Sequence, residues 1–149
     1  MTTRVMGLAR LNLSPRHAQP TPVRLVMATI GALVGSLVAD ALLVALGIAV
    51  FPSTRGYDHF QFHDYARLTI IGVLIACVAW PIVTRISSSP RWLFFRLAIA
   101  VTLVLLLPDL WILHQHQPAR AVAVLVCLHL AIALVTYNLL VRLAPTRER

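Results

Sequence analysis

The chain has 149 residues, 59% of them hydrophobic and only 12% charged, with a mean hydropathy of +0.82. Soluble domains run at about 45–50% apolar and about a quarter charged, so a water-soluble fold is excluded and lipid becomes the expected solvent. The net charge of +8 would suit a nucleic-acid binder, but all of the positive charge is arginine dispersed beside apolar blocks, which is a topology signal and excludes nucleic acid as a partner.

Residues 1–24 carry Arg4, Arg10, Arg16 and Arg24, are broken by Pro15, Pro20 and Pro22, and read as a flexible cytoplasmic tail. The apolar block at 25–51 is far longer than the roughly 7–15 residues of a signal-peptide core, so it predicts a retained membrane span. Within it Ala28, Ala32 and Ser36 recur every fourth residue up to Asp40, beside a second small-residue stripe of Gly31, Gly35 and Ala39. Small residues allow close backbone approach between helices in lipid, and intramolecular packing is preferred here over a homodimer seam. Ile30, Leu33, Val34 and Leu37 are expected on the lipid side.

Residues 52–66 form a polar and aromatic loop, followed by a second span at 68–86 in which Pro81 is expected to bend the helix. The short turn at 87–90 permits only an antiparallel helical hairpin. The third span, 92–107, is expected to end near Pro108 and Asp109. Trp92 and Trp111, roughly 28 Å apart along a helix, would mark the two interfaces, with Arg96 reaching back to the headgroups. The fourth span, 121–141, leads through Arg142 to a short tail at 143–149.

The sequence therefore predicts an all-α integral membrane protein, a four-helix transmembrane bundle over 25–142 between two cytoplasmic tails. One side receives Arg4, Arg10, Arg16, Arg24, Arg85, Arg91, Arg96, Arg142, Arg147 and Arg149, and the other only Arg55, Arg67 and Arg120. Loops this short obey the positive-inside rule, which puts both tails in the cytoplasm and the histidine-bearing loops outside the inner (plasma) membrane.

The segments LLLPDL in the third span and CLHLAIALV in the fourth resemble the proline-bearing third helix and the histidine-leucine fourth helix of small actinobacterial four-span membrane proteins of unknown function. The resemblance covers the last third of the chain. It implies four spans, with Pro108 and His129 at the matching positions, and no activity.

Candidate chemistry is sparse. No nucleophile has a base beside it, no glycine-rich phosphate loop is present, and the only glutamate, Glu148, lies in a tail, so no enzymatic activity is expected. Cys77 and Cys127 lie in apolar blocks without the spacing of a redox or metal pair. No cofactor is expected, with one minority alternative. His59, His63, His114 and His116, supported by Asp58, Asp64 and Asp109, offer imidazole and carboxylate ligands for zinc or copper at the outer face. His59 and His63 share a face if their stretch is helical, and His114 and His116 share one if theirs is extended. The preferred reading makes them interfacial residues among Tyr57, Phe60, Phe62 and Tyr65.

Asp40 and His129 are the ionisable groups set deepest in the spans, each roughly 13–17 Å from the outer boundary, and are expected to meet as an intramembrane polar pair. The function expected first is that of a structural or accessory subunit of a larger envelope complex, with a protein partner or a homo-oligomer in the membrane. A small transporter or ion-coupling protein using Asp40 and His129 is the alternative, and an outer-face metal-binding protein the third.

Overall fold

The computed structural model describes residues 17–148, so most of the expected N-terminal tail and Arg149 lie outside the described residues. Four helices dominate: α1 (Pro22–Val50), α2 (Phe62–Ile86), α3 (Pro90–His114) and α4 (Ala119–Leu143). All four are long and apolar enough to cross a membrane, the architecture of a multi-pass membrane protein. Two short 3₁₀ turns, Pro52–Thr54 and Asp58–Phe60, lie between α1 and α2. At the opposite end His17–Ala18 pairs antiparallel with Arg147–Glu148, so the two tails meet at one end of the bundle. The ends are called the tail end and the loop end below.

Local chemistry explains the helix boundaries. The Thr21 hydroxyl caps α1 by accepting from Arg24 N–H at 3.4 Å, and Pro22 occupies the first turn, where its missing N–H is harmless. Pro90 opens α3 in the same way, after a turn in which Ser89 N–H donates to Ser87 Oγ at 3.1 Å. Most helix ends lie one to three residues from those of the expected spans, α1 starting at Pro22 inside the expected tail, and two boundaries differ by more. The second helix starts at Phe62 rather than 68, taking His63, Asp64 and Tyr65 into its first turn. The third helix does not stop at Pro108 but continues to His114. A proline withdraws only one donor from the helical ladder, and an apolar run such as Leu110–Leu113 has no other way to satisfy its backbone in hydrocarbon.

Helix α1 packs most extensively on α4, which also packs on α3, while α2 lies against the other flank of α1. Along α1 the residues Ala28, Ala32, Ser36, Asp40, Val44 and Gly47 are buried. Their near four-residue period is the one helical neighbours require. Gly31 and Gly35 face Leu139, Leu143 and Val135 of α4, so the small-residue stripes are consumed within the chain, with Ala39 half-buried beside them. Ile30 and Val34 are exposed as expected, but Leu33 and Leu37 are half-buried, because α1 is flanked on two sides and covers a wider arc than one stripe.

Helix α1 approaches α4 tightly at Gly47, where an added Cβ would lie 2.7 Å from Val124 Cγ2. Gly47→Ala is therefore expected to lower stability in detergent by about 1–3 kcal/mol through overpacking. Gly72→Ala, which meets open space, is expected to be neutral or slightly stabilising. Equal melting temperatures for the two variants would show that α1 and α4 do not approach this closely.

Two apolar clusters fill the bundle. The tail-end cluster contains Ala28, Ala32, Val73, Cys77, Trp80, Val83, Phe94, Leu140, Val141 and Ala144. The loop-end cluster contains Val44, Phe60, Ala121, Val124, Leu125 and Leu128. At the tail-end interface Arg96 folds back over Trp92, its guanidinium carbon 4.6 Å from the ring centroid, as a snorkelling arginine should. Trp111, near the other end of α3, is exposed.

Candidate functional site: a polar layer inside the bundle

Between the two apolar clusters every helix contributes a polar side chain to the interior. Asp40 comes from α1, Thr69 from α2, Asp109 from α3 and His129 from α4, with Ser36 and Thr136 one layer closer to the tail end. Counting from the loop-end helix termini at 1.5 Å per residue, Asp109 lies roughly 8 Å deep, Thr69 roughly 10 Å, and Asp40 and His129 roughly 15 Å. Asp40, Ser36 and Thr69 are almost completely buried, and Asp109 is 3% exposed.

The contacts fall into pairs that join neighbouring helices. Thr69 Oγ1 donates to Asp40 Oδ2 at 2.6 Å, linking α2 to α1. The short distance suits a hydroxyl meeting a carboxyl oxygen away from water. His129 Nδ1 lies 2.9 Å from Asp109 Oδ2, linking α4 to α3. The same nitrogen is 3.0 Å from Leu125 O one turn back. With this nitrogen placed between Leu125 O and Asp109, the approach to Asp109 is one of charge proximity, and Asp109 Oδ2 has no well-directed hydrogen bond among the described residues. Ser36 and Thr136 hydroxyls stand 3.4 Å apart and link α1 to α4.

The two residues expected to meet, Asp40 and His129, thus occupy the same layer within electrostatic range of one another, but each takes a different close partner. Thr69 and the intramembrane role of Asp109 escape sequence reading. Asp109 is missed because Pro108 reads as a terminus. The signal available was the apolar run that resumes immediately after it. Thr69 carries no such signal, since a single threonine in an apolar helix commonly bonds its own backbone.

Above this layer the α1–α2 loop turns its aromatics inward. Tyr57 contacts Phe60 and His59 edge-on, both at 5.3 Å, and its hydroxyl is buried. Burial, reinforced by the carboxylates of Asp109 and Asp58, pushes the Tyr57 phenol above its usual value. Arg120, at the start of α4, lies over the Phe51 ring at 5.6 Å and closes the same end.

The expected outer-face metal ligands are not brought together. His59 sits in a 3₁₀ turn and His63 in the first turn of α2, so no single helix aligns them. His63 instead lies 3.1 Å from its neighbour Asp64. His114 ends α3 against Trp111, with ring centroids 6.0 Å apart, and His116 adopts a left-handed turn conformation (φ 61°), so no extended segment carries both. Asp109 is spent on His129, and Asp58 lies in the 3₁₀ turn with His59. Among the described residues no three histidine, cysteine, aspartate or glutamate side chains are grouped to hold a metal ion. Cys77 and Cys127 are both free thiols, one buried and one exposed.

Comparison with family models, curated proteins and solved structures finds no match for the chain.

Proposed function

We propose that the protein is an accessory or structural subunit of a larger complex in the plasma membrane, with its tails in the cytoplasm. The observation that carries this reading is the filled tail-end half of the bundle. Trp80, Leu140, Ala28 and Ala32 are each 0% exposed there, and Val73 1%. Among the described residues the interior of this half carries no continuous polar path. The bundle's working parts are then its outer helix faces. Helix α3 is the least buried of the four and exposes Phe95, Ile99, Leu103, Leu107 and Leu110, a face suited to a partner helix or a second copy of the chain.

Affinity purification from native membranes in mild detergent tests the reading. A stoichiometric membrane partner, lost when Ile99, Leu103 and Leu107 are changed together to bulkier tryptophan, is the expected result. Recovery of a monomer alone would end it.

Sidedness is tested separately. Single cysteines at Gln61 and Gln115, in a background without Cys77 and Cys127, are expected to react with a membrane-impermeant thiol reagent in intact cells. A cysteine at residue 2 is expected to react only after lysis. The opposite pattern would invert the orientation that the arginine distribution implies.

A second reading, an ion-coupling protein, is favoured by one specific observation. Asp40 is 0% exposed, yet its Oδ1 has no hydrogen-bond partner among the described residues. An ionisable group so placed is costly, and intramembrane carboxylates of this kind commonly mark ion or proton sites.

A further inference from the structure

Three buried side-chain atoms lack a hydrogen-bond partner among the described residues: Asp40 Oδ1, Asp109 Oδ2 and the Tyr57 hydroxyl. They come from α1, α3 and the α1–α2 loop. Electrostatic proximity connects them in series from the loop end inward. Tyr57 and His59 act on Asp109, Asp109 lies against His129, and His129 acts on Asp40. His59 is exposed at the loop end, Asp109 is 3% exposed and Asp40 0%, so the series runs from the loop surface to an enclosed end.

Among the described residues nothing comparable approaches Asp40 from the tail end. The next layer is the Ser36–Thr136 hydroxyl pair, and beyond it lie Ala28, Ala32, Val73, Cys77, Trp80 and Leu140. The polar atoms in that half are already engaged. Thr29 Oγ1 donates to Leu25 O, Thr84 Oγ1 is bonded to Pro81 O and Gln19 Oε1, and Trp80 Nε1–H donates to Ala144 O.

We infer that Asp40 is a proton-binding site reached only from the loop end, through Tyr57, His59, Asp109 and His129. This inference rests on the ion-coupling reading and narrows it: the site loads and unloads on one side and does not pass its proton across. The ligand is a proton rather than a metal cation because of the donor set. Hard cations need about six oxygens, whereas Asp40 offers one unengaged oxygen, and the Thr69 hydroxyl beside it is already donating. The groups facing Asp40 and its access route are Tyr65 and Thr69 of α2, Asp109 of α3, His129 of α4, and Tyr57, Asp58 and His59 of the loop. Loading converts one carboxylate to a carboxylic acid, with the proton supplied by hydronium at the loop face and no other bond changed.

The test uses the full chain in sealed vesicles, with sidedness assigned by a labelled cysteine at Gln61 and the pH set independently on the two sides. Infrared difference spectroscopy reads the carboxylic-acid carbonyl band of Asp40, identified by its loss in Asp40→Asn and its shift in Asp40→Glu. As the pH is stepped on each side in turn, the band is expected to follow the loop-side pH and to ignore the tail-side pH. His129→Gln is expected to slow the response at least about tenfold, equivalent to roughly 1.4 kcal/mol on the barrier. A band that follows the tail-side pH, or both sides, would overturn one-sided access while leaving ion coupling intact. No Asp40 band that titrates from either side would overturn both.

Discussion

Replacing Trp80 with alanine is expected to destabilise the bundle by about 3–5 kcal/mol, among the largest losses available to any single substitution in this chain. Trp80 is 0% exposed and is the largest of the fully buried side chains. It stands on α2 beside Pro81, where the helical ladder is already short of one donor. Its ring meets Phe94 of α3 at 5.0 Å, and Phe94 in turn stacks on Tyr137 of α4 at 5.9 Å. Its indole N–H donates at 2.9 Å to Ala144 O, the residue that caps α4. One side chain thus joins α2, α3 and the end of α4 at the point where the chain tails meet. Trp80→Phe keeps most of the ring volume and removes the hydrogen bond, so a loss of about 0.5–1.5 kcal/mol is expected from that bond, plus a smaller packing cost. Equilibrium unfolding in mixed micelles separates the two variants. A Trp80→Ala protein within about 1 kcal/mol of the parent would show that the tail-end cluster does not hold the helices together.

How much of this arrangement is legible in the sequence follows from the physics of each feature. Long apolar blocks report helices long enough to cross a bilayer, because hydrocarbon leaves the backbone no other way to be satisfied. The stripe Ala28, Ala32, Ser36, Asp40 reports a packed face for the same geometric reason, and its burial is nearly complete. Proline is a poorer guide in this setting. Pro81 was expected inside a helix and Pro108 at the end of one, yet both are helical, since the apolar residues around each outweigh one lost hydrogen bond. That single boundary conceals Asp109 as an intramembrane residue. Side-chain pairing across helices was legible only as depth. Asp40 and His129 lie at the same level, but which side chain each one touches depends on helix rotation, and the turn lengths do not specify that. The loop histidines show the converse. Their residue types suit a metal, while the local backbone, a 3₁₀ turn here and a left-handed residue there, keeps them apart.

The pairing itself can be measured. Stability cycles over Asp40, Thr69, Asp109 and His129 are expected to give their largest coupling energies within the two contact pairs. Removing Asp109 leaves the His129 imidazole without its carboxylate, and removing His129 leaves a carboxylate that is 5% exposed at its side chain with no partner. Breaking one half of such a buried pair costs about 3–5 kcal/mol in soluble proteins, whereas hydrogen bonds in membrane interiors average nearer 0.6 and reach about 1.7. Losses of about 1–3 kcal/mol for Asp109→Ala or His129→Ala are expected between these limits. In the double variant the second substitution is then expected to cost at least about 1 kcal/mol less than it does alone, because the stranded partner is gone. Asp40→Ala combined with Thr69→Val is expected to behave in the same way, since Thr69→Val removes only the hydroxyl that donates to Asp40 Oδ2. The cross pair, Asp40→Ala with His129→Ala, is expected to couple more weakly, because each of the two has its close contact with another side chain. A coupling between Asp40 and His129 larger than that of either contact pair would mean that α1 and α4 are rotated in the membrane so that these two side chains touch directly.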